Sequence, residues 1–200
     1  MKKILYLIQY LFVKLLFIII QLIGYRNGSN LGGIIGRIVI PIFKSRKSIK
    51  ENIEKSATVK KSEYNKIITN VYGNYGRILA EYPFMSEFRN NKLNQYIEIE
   101  GKTNLDKIRL NKRKAVFVSG HFNNFELMAL QIEKAGIDLC AIYRPLNNFY
   151  LNRTMEEIRK KFICKNQIKK GRTGTRQIIE NLNKGKSVAL MIDQRVREGA

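Results

Sequence analysis

Residues 115–145 read AVFVSGHFNNFELMALQIEKAGIDLCAIYRP, and this stretch decides the fold class. AVFVS (115–119) is short, apolar and β-branched, which predicts a strand. FELMALQIEKAG (125–136) spaces its apolar residues at helical intervals and closes on Gly136, and IDLCAIY (137–143) predicts a second strand. The alternation continues downstream. LNRTMEEIRKKF (151–162) predicts a helix, and a short apolar piece follows it. TGTRQIIENLNKG (173–185) predicts a further helix and KSVALMI (186–192) a further strand. Strands that alternate with helices build a layered α/β sheet with at least some parallel pairing.

Working upstream, residues 51–100 hold seven basic and seven acidic side chains, so their charges balance. Ile67, Ile68, Val71, Tyr72, Tyr75, Ile78 and Leu79 recur at three- and four-residue spacings, which predicts one buried helical stripe, that of a scaffold helix covering a sheet. Residues 24–50 are different, with Arg26, Arg37, Lys44, Arg46, Lys47 and Lys50 and no acid. Within them LGGIIGRIVIPIF (31–43) is apolar but too short to span a bilayer. A buried hairpin or core helix is one reading, and the adjoining basic collar favours an element lying on anionic headgroups.

The N-terminus is ILYLIQYLFVKLLFIIIQLI (4–23), in which Gln9, Lys14 and Gln21 are the polar exceptions. At 1.5 Å rise per residue it forms a helix about 30 Å long, the thickness of a bilayer core. Its length, and the absence of a small-x-small site in Gly24, Tyr25 and Arg26, favour a retained anchor over a cleaved signal peptide. Because the basic collar follows the helix, the remainder is expected on the cytoplasmic side. The expected organisation is an anchor over 1–25, a basic interfacial segment over 26–50 and a catalytic domain over 51–200.

The chain has 200 residues, enough for one medium domain with an appendage. Its 37 basic and 16 acidic residues give a net charge of +21, a field that draws polyanions such as anionic lipid, an acidic protein or nucleic acid. The absence of Trp, of zinc-ligand spacing and of any nucleic-acid motif argues against nucleic acid. The two cysteines, Cys140 and Cys164, lie in apolar runs and suit buried reduced thiols rather than a metal site or a disulfide.

One histidine is present, His121, placed between a strand and a helix where α/β sheets present functional side chains. Glu126 follows five positions later. GHFNNFE (120–126), with its His-x4-Glu spacing, resembles the signature of the bacterial lipid A late acyltransferases, the lauroyl/myristoyl transferases among the wider His-x4-Asp/Glu acyltransferases. The N-terminal anchor, GRILAEYP (76–83), YRPLNN (143–148) and the pair Asp193-Gln194 occur in the matching order, so the resemblance covers essentially the whole chain. It implies a glycerolipid-acyltransferase-like mixed sheet flanked by helices. It also implies that about a third of the protein lies beyond Ala200, since the pattern here stops on a strand.

The implied reaction moves a fatty acyl group from an acyl carrier protein thioester to a hydroxyl of a lipid A precursor at the bacterial inner membrane, with no metal and no cofactor. His121 is the implied general base, a role that suits an imidazole, which titrates near neutrality. Glu126, on the other ring nitrogen, is expected to fix its tautomer. Arg159 and Asp193 are carried over as residues needed near the site. Arg144, at a strand end, is a candidate phosphate contact or loop brace. Arg172, with Lys169, Lys170 and Arg176, forms a basic cluster suited to donor or lipid. Two alternatives remain open at this point: a related glycerolipid or glycolipid acyltransferase using acyl-CoA or acyl carrier protein, and a non-catalytic basic membrane-binding protein.

Overall fold

The computed structural model describes residues 2–56 and 58–193; Gln194 of the Asp193-Gln194 pair and the six residues after it lie outside the described residues. In chain order the helices are α1 (Lys2–Ile23), α2 (Tyr25–Phe43), α3 (Arg46–Ser56), α4 (Tyr64–Glu81), α5 (Met85–Arg89), α6 (Lys102–Leu110), α7 (Glu126–Lys134), α8 (Phe149–Ile158) and α9 (Arg172–Asn183). The strands are β1 (Val116–Ser119), β2 (Leu139–Tyr143), β3 (Asn166–Lys169) and β4 (Ser187–Met191). Two compact units result. One combines Met1–Phe12 with Met85–Ala200, and the other is Val13–Phe84. Residues 26–50 fold together with α4 in the second of these units.

That helical unit is built on glycine. α2 buries Gly28, Gly32, Gly33 and Gly36 along one face, and α4 brings Gly73 and Gly76 against it. A Cβ on Gly76 would lie 2.1 Å from the Gly32 carbonyl oxygen and 2.8 Å from the Gly36 Cα. Backbone therefore meets backbone at this crossing, and the partner of α4 is α2. Ser29 donates to Glu81 at 2.6 Å, and Arg77 donates to Asn30 at 2.8 Å, so the polar residues at one end of the crossing are satisfied within the unit. Of the expected α4 stripe, Ile68, Tyr72 and Ile78 are buried, whereas Tyr75 is exposed beneath the Lys44 ammonium, 4.4 Å from its ring centroid. With its small residues inward, α2 turns Ile34, Ile38, Val39, Ile42 and Phe43 to the outside. Replacing Gly76 with alanine is expected to destabilise this unit by about 1–3 kcal/mol, the usual cost of overpacking a rigid contact. The measurement is the unfolding midpoint followed by far-UV circular dichroism.

The other unit carries the sheet, in the order β1-β4-β2-β3. Every pairing among the described residues is parallel, so the expected mixed sheet is a parallel one over this range. Cys140, Ile168 and Val188 form a buried core under α9, with Ile178 and Leu182 packed on it. β3 was not expected as a strand. It sits at the sheet edge with the polar sequence NQIK, and only Ile168 faces the core. α8 runs directly into a π-helical turn, Arg159–Ile163, a rare geometry that recurs at functional sites.

Candidate active site

Parallel strands bring their carboxyl ends to one edge, and the loops beyond that edge hold the site. β1 and β4 pair with Ser119 opposite Met191, and the Ile192 N–H donates to the Ser119 carbonyl at 2.9 Å. Two residues further on, the same register sets His121 beside Asp193. The Asp193 carboxylate holds the histidine twice: Oδ2 accepts the His121 backbone N–H at 2.8 Å, and Oδ1 lies 2.8 Å from Nδ1. Burial pushes the Asp193 carboxyl up, but the hydrogen bonds and charge of His121 outweigh it and hold it below the usual carboxylate value. The Phe125 ring packs edge-on against the imidazole at 4.7 Å. At Gly120 a Cβ would come within 2.8 Å of the exposed Phe122 ring, so a side chain there would displace that ring.

Glu126 opens α7 and is buried. Its Oε1 accepts Arg159 Nη2 at 2.6 Å and Nε at 2.9 Å, with 8% and 14% of the two side chains exposed. The carboxylate on Nδ1 is that of Asp193, and Glu126 anchors Arg159. The guanidinium also lies over the Tyr143 ring, 5.7 Å from its centroid.

A cavity of about 650 Å³ opens at these strand ends. His121, Glu126, Arg159, Arg144, Lys169 and Lys170 line it, over a floor that includes Ala141, Ala189, Leu190 and Ile178. Cationic walls over an apolar floor suit an amphiphile with an anionic head. Of the residues singled out from sequence, His121, Glu126, Arg159 and Arg144 share this cavity, and Asp193 supports it through His121. Arg172 stands apart, over a shallow depression on α9 with Arg176 and Ile179.

Sequence reasoning missed the polar spine of α8. Asn148 caps the helix by accepting from the Tyr150 and Leu151 N–H groups. One turn on, Asn152 accepts the Leu146 N–H and donates to Glu156, both at 2.8 Å, and the Tyr143 hydroxyl donates to the same Glu156 oxygen. Burial, then the bond to Glu156, raises the Tyr143 hydroxyl far above its ordinary value. The bond from Tyr143, assisted by Asn152, holds Glu156 below the carboxylate range against its own burial. The spacing Asn148, Asn152, Glu156, Arg159 is the one available signal, since positions three and four apart share a helix face. Both cysteines are buried, and burial pushes Cys164 up to about 12, so neither supplies a thiolate nucleophile.

The strand ends of this parallel sheet thus present a carboxylate-supported histidine and a buried arginine over a cation-lined apolar cavity. The chain belongs to the bacterial lipid A biosynthesis acyltransferase family, which matches it over residues 1–200. It is 28% identical over 170 residues to the lipid A biosynthesis palmitoleoyltransferase of Escherichia coli (strain K12), a match covering 82% of this chain and 53% of that protein. The lipid A biosynthesis acyltransferase of Shigella flexneri matches with the same identity and coverage. The chain thus spans about half the length of the curated relatives it matches.

Proposed function

We propose that this protein is a membrane-anchored O-acyltransferase that moves a fatty acyl group from an acyl carrier protein thioester to a hydroxyl of a lipid A precursor. The observation that carries the reading is the 2.8 Å contact between His121 Nδ1 and Asp193 at the cation-lined cavity. With Nδ1–H donated to Asp193, Nε2 is the basic nitrogen. It takes the acceptor's hydroxyl proton as that oxygen attacks the thioester carbonyl. The tetrahedral oxyanion collapses, the carbon–sulfur bond breaks, and the imidazolium returns the proton to the departing thiolate. Arg159, fixed by Glu126 and facing the cavity, is placed to stabilise the oxyanion. Arg144, Lys169 and Lys170 suit the phosphates of the acceptor, and Arg172 and Arg176 on the outer side of α9 suit an acidic carrier protein.

α1 is the membrane anchor in this reading. Among the described residues it is the helix long and apolar enough to cross a membrane, but its bonds to Asn148 keep Tyr6 and Gln9 beside the catalytic part, so in this reading it is a monotopic anchor lying in the interface of one membrane face. The outward apolar row of α2 and its basic residues suit a second contact, with anionic lipid, and the basic flank supports a cytoplasmic-side location of the catalytic part at the inner membrane. Deleting residues 1–25 is therefore expected to weaken membrane association without abolishing it. The residual binding to anionic vesicles should fall as salt rises, because headgroup attraction is screened over about 10 Å at 0.1 M. Full release of the shortened protein at low salt, measured by vesicle sedimentation, would remove α2 from the account. The catalytic reading is tested by transfer of labelled acyl groups from acyl carrier protein to a lipid A precursor by the full-length protein, with acyl-CoA as the competing donor.

A further inference from the structure

The N-terminal half of α1 makes contacts that a bare anchor does not need. The Asn148 side-chain amide donates to the Tyr6 backbone carbonyl at 2.9 Å and to Gln9 Oε1 at 3.1 Å. Beside these bonds the Tyr6 ring meets Phe149 edge-on at 6.3 Å, and Tyr10 packs on Tyr150 at 5.7 Å. Gln9 is one of three polar residues in the apolar run 4–23, and here it has a partner 139 positions away. Asn148 is buried, and it uses both ends of its amide: the oxygen caps α8 and the nitrogen reaches α1.

What Asn148 holds is a cavity wall. The loop Arg144–Asn147 before it lines the cavity. α8 behind it carries Asn152 and Glu156, which fasten that loop and Tyr143, and it ends at Arg159. A shift at the N-cap is therefore transmitted along one helix to the guanidinium paired with Glu126.

We infer that Gln9 and Asn148 are positioning residues, a latch by which the anchor helix sets the wall of the acyl-transfer cavity. The inference rests on the proposed function of that cavity, and it makes the anchor part of the active architecture as well as the tether.

Two variants of the full-length protein in native membranes test it. Gln9→Leu removes one acceptor and leaves an apolar helix. Asn148→Asp keeps the oxygen that caps α8 and turns the donor into an acceptor facing two acceptors. Both should remain membrane-bound and should lower kcat more than they raise KM, by about three- to tenfold, the weight of one or two hydrogen bonds. The double variant should be no slower than Asn148→Asp alone, because both substitutions break one contact. Amide hydrogen exchange over residues 144–152 should rise in each. An unchanged kcat in both single variants, additive losses or unchanged exchange over 144–152 would overturn the latch. Failure of the wild type to transfer any acyl group would instead overturn the proposed function, and the exchange comparison would still decide whether the latch exists.

Discussion

Replacing His121 with alanine is expected to slow acyl transfer by about 10²–10⁴-fold, the usual contribution of a positioned general base, while membrane association stays at the wild-type level. In the proposed mechanism the chemical step loses the group that takes the hydroxyl proton, while the proposed membrane contacts of α1 and α2 do not involve it. Asp193→Asn is the companion variant. It keeps the shape of the contact but offers an amide where the carboxylate accepts from both the backbone N–H and Nδ1. The imidazole then loses its fixed tautomer and its support as an imidazolium, so a loss of similar order is expected, seen in kcat rather than in KM. Single-turnover transfer from a radiolabelled donor separates the two parameters. A wild-type rate in purified His121→Ala would end the general-base account.

The second large effect concerns the Glu126–Arg159 pair. Glu126→Gln removes the carboxylate paired with a buried guanidinium, which is expected to cost about 3–5 kcal/mol of stability together with most of the activity. The replacement Glu126→Leu with Arg159→Met separates the two consequences, since an apolar pair of similar volume restores packing without a buried charge. Its unfolding midpoint should recover toward wild type while transfer stays lost. Recovery of both would reduce the pair to a structural one, and recovery of neither would mean that Glu126 supports the site in another way.

The sequence made some of this site legible and hid the rest for physical reasons. The β1-α7-β2 stretch announces itself because both strands are short apolar runs and the helix between them is periodic, although Val116 and Val118 of β1 are exposed. β3 escaped because an edge strand with one neighbour tolerates the polar Asn166 and Gln167 at half-buried positions and Lys169 at an exposed one. His121 could be placed after a strand from the local pattern alone. The Asp193 carboxylate on its Nδ1 could not, because that pairing requires the β1–β4 register, and register is a long-range property. The glycines of α2 read ambiguously for a similar reason: the segment around LGGIIGR leaves a hairpin, a core helix and an interfacial element open until Gly73 and Gly76 supply the facing groove. Asn148 lay inside the YRPLNN motif with no visible task, since its partners on α1 are more than 130 residues distant.

The most direct test of the central claim is mass spectrometry of lipid A from a bacterial host that lacks its own late acyltransferase and is supplied with the full-length protein. The account predicts a lipid A species heavier by one fatty acyl group, absent when His121→Ala is supplied at equal membrane abundance. An unchanged lipid A mass with the wild-type protein present in the membrane, or the same added acyl group with His121→Ala, would contradict it.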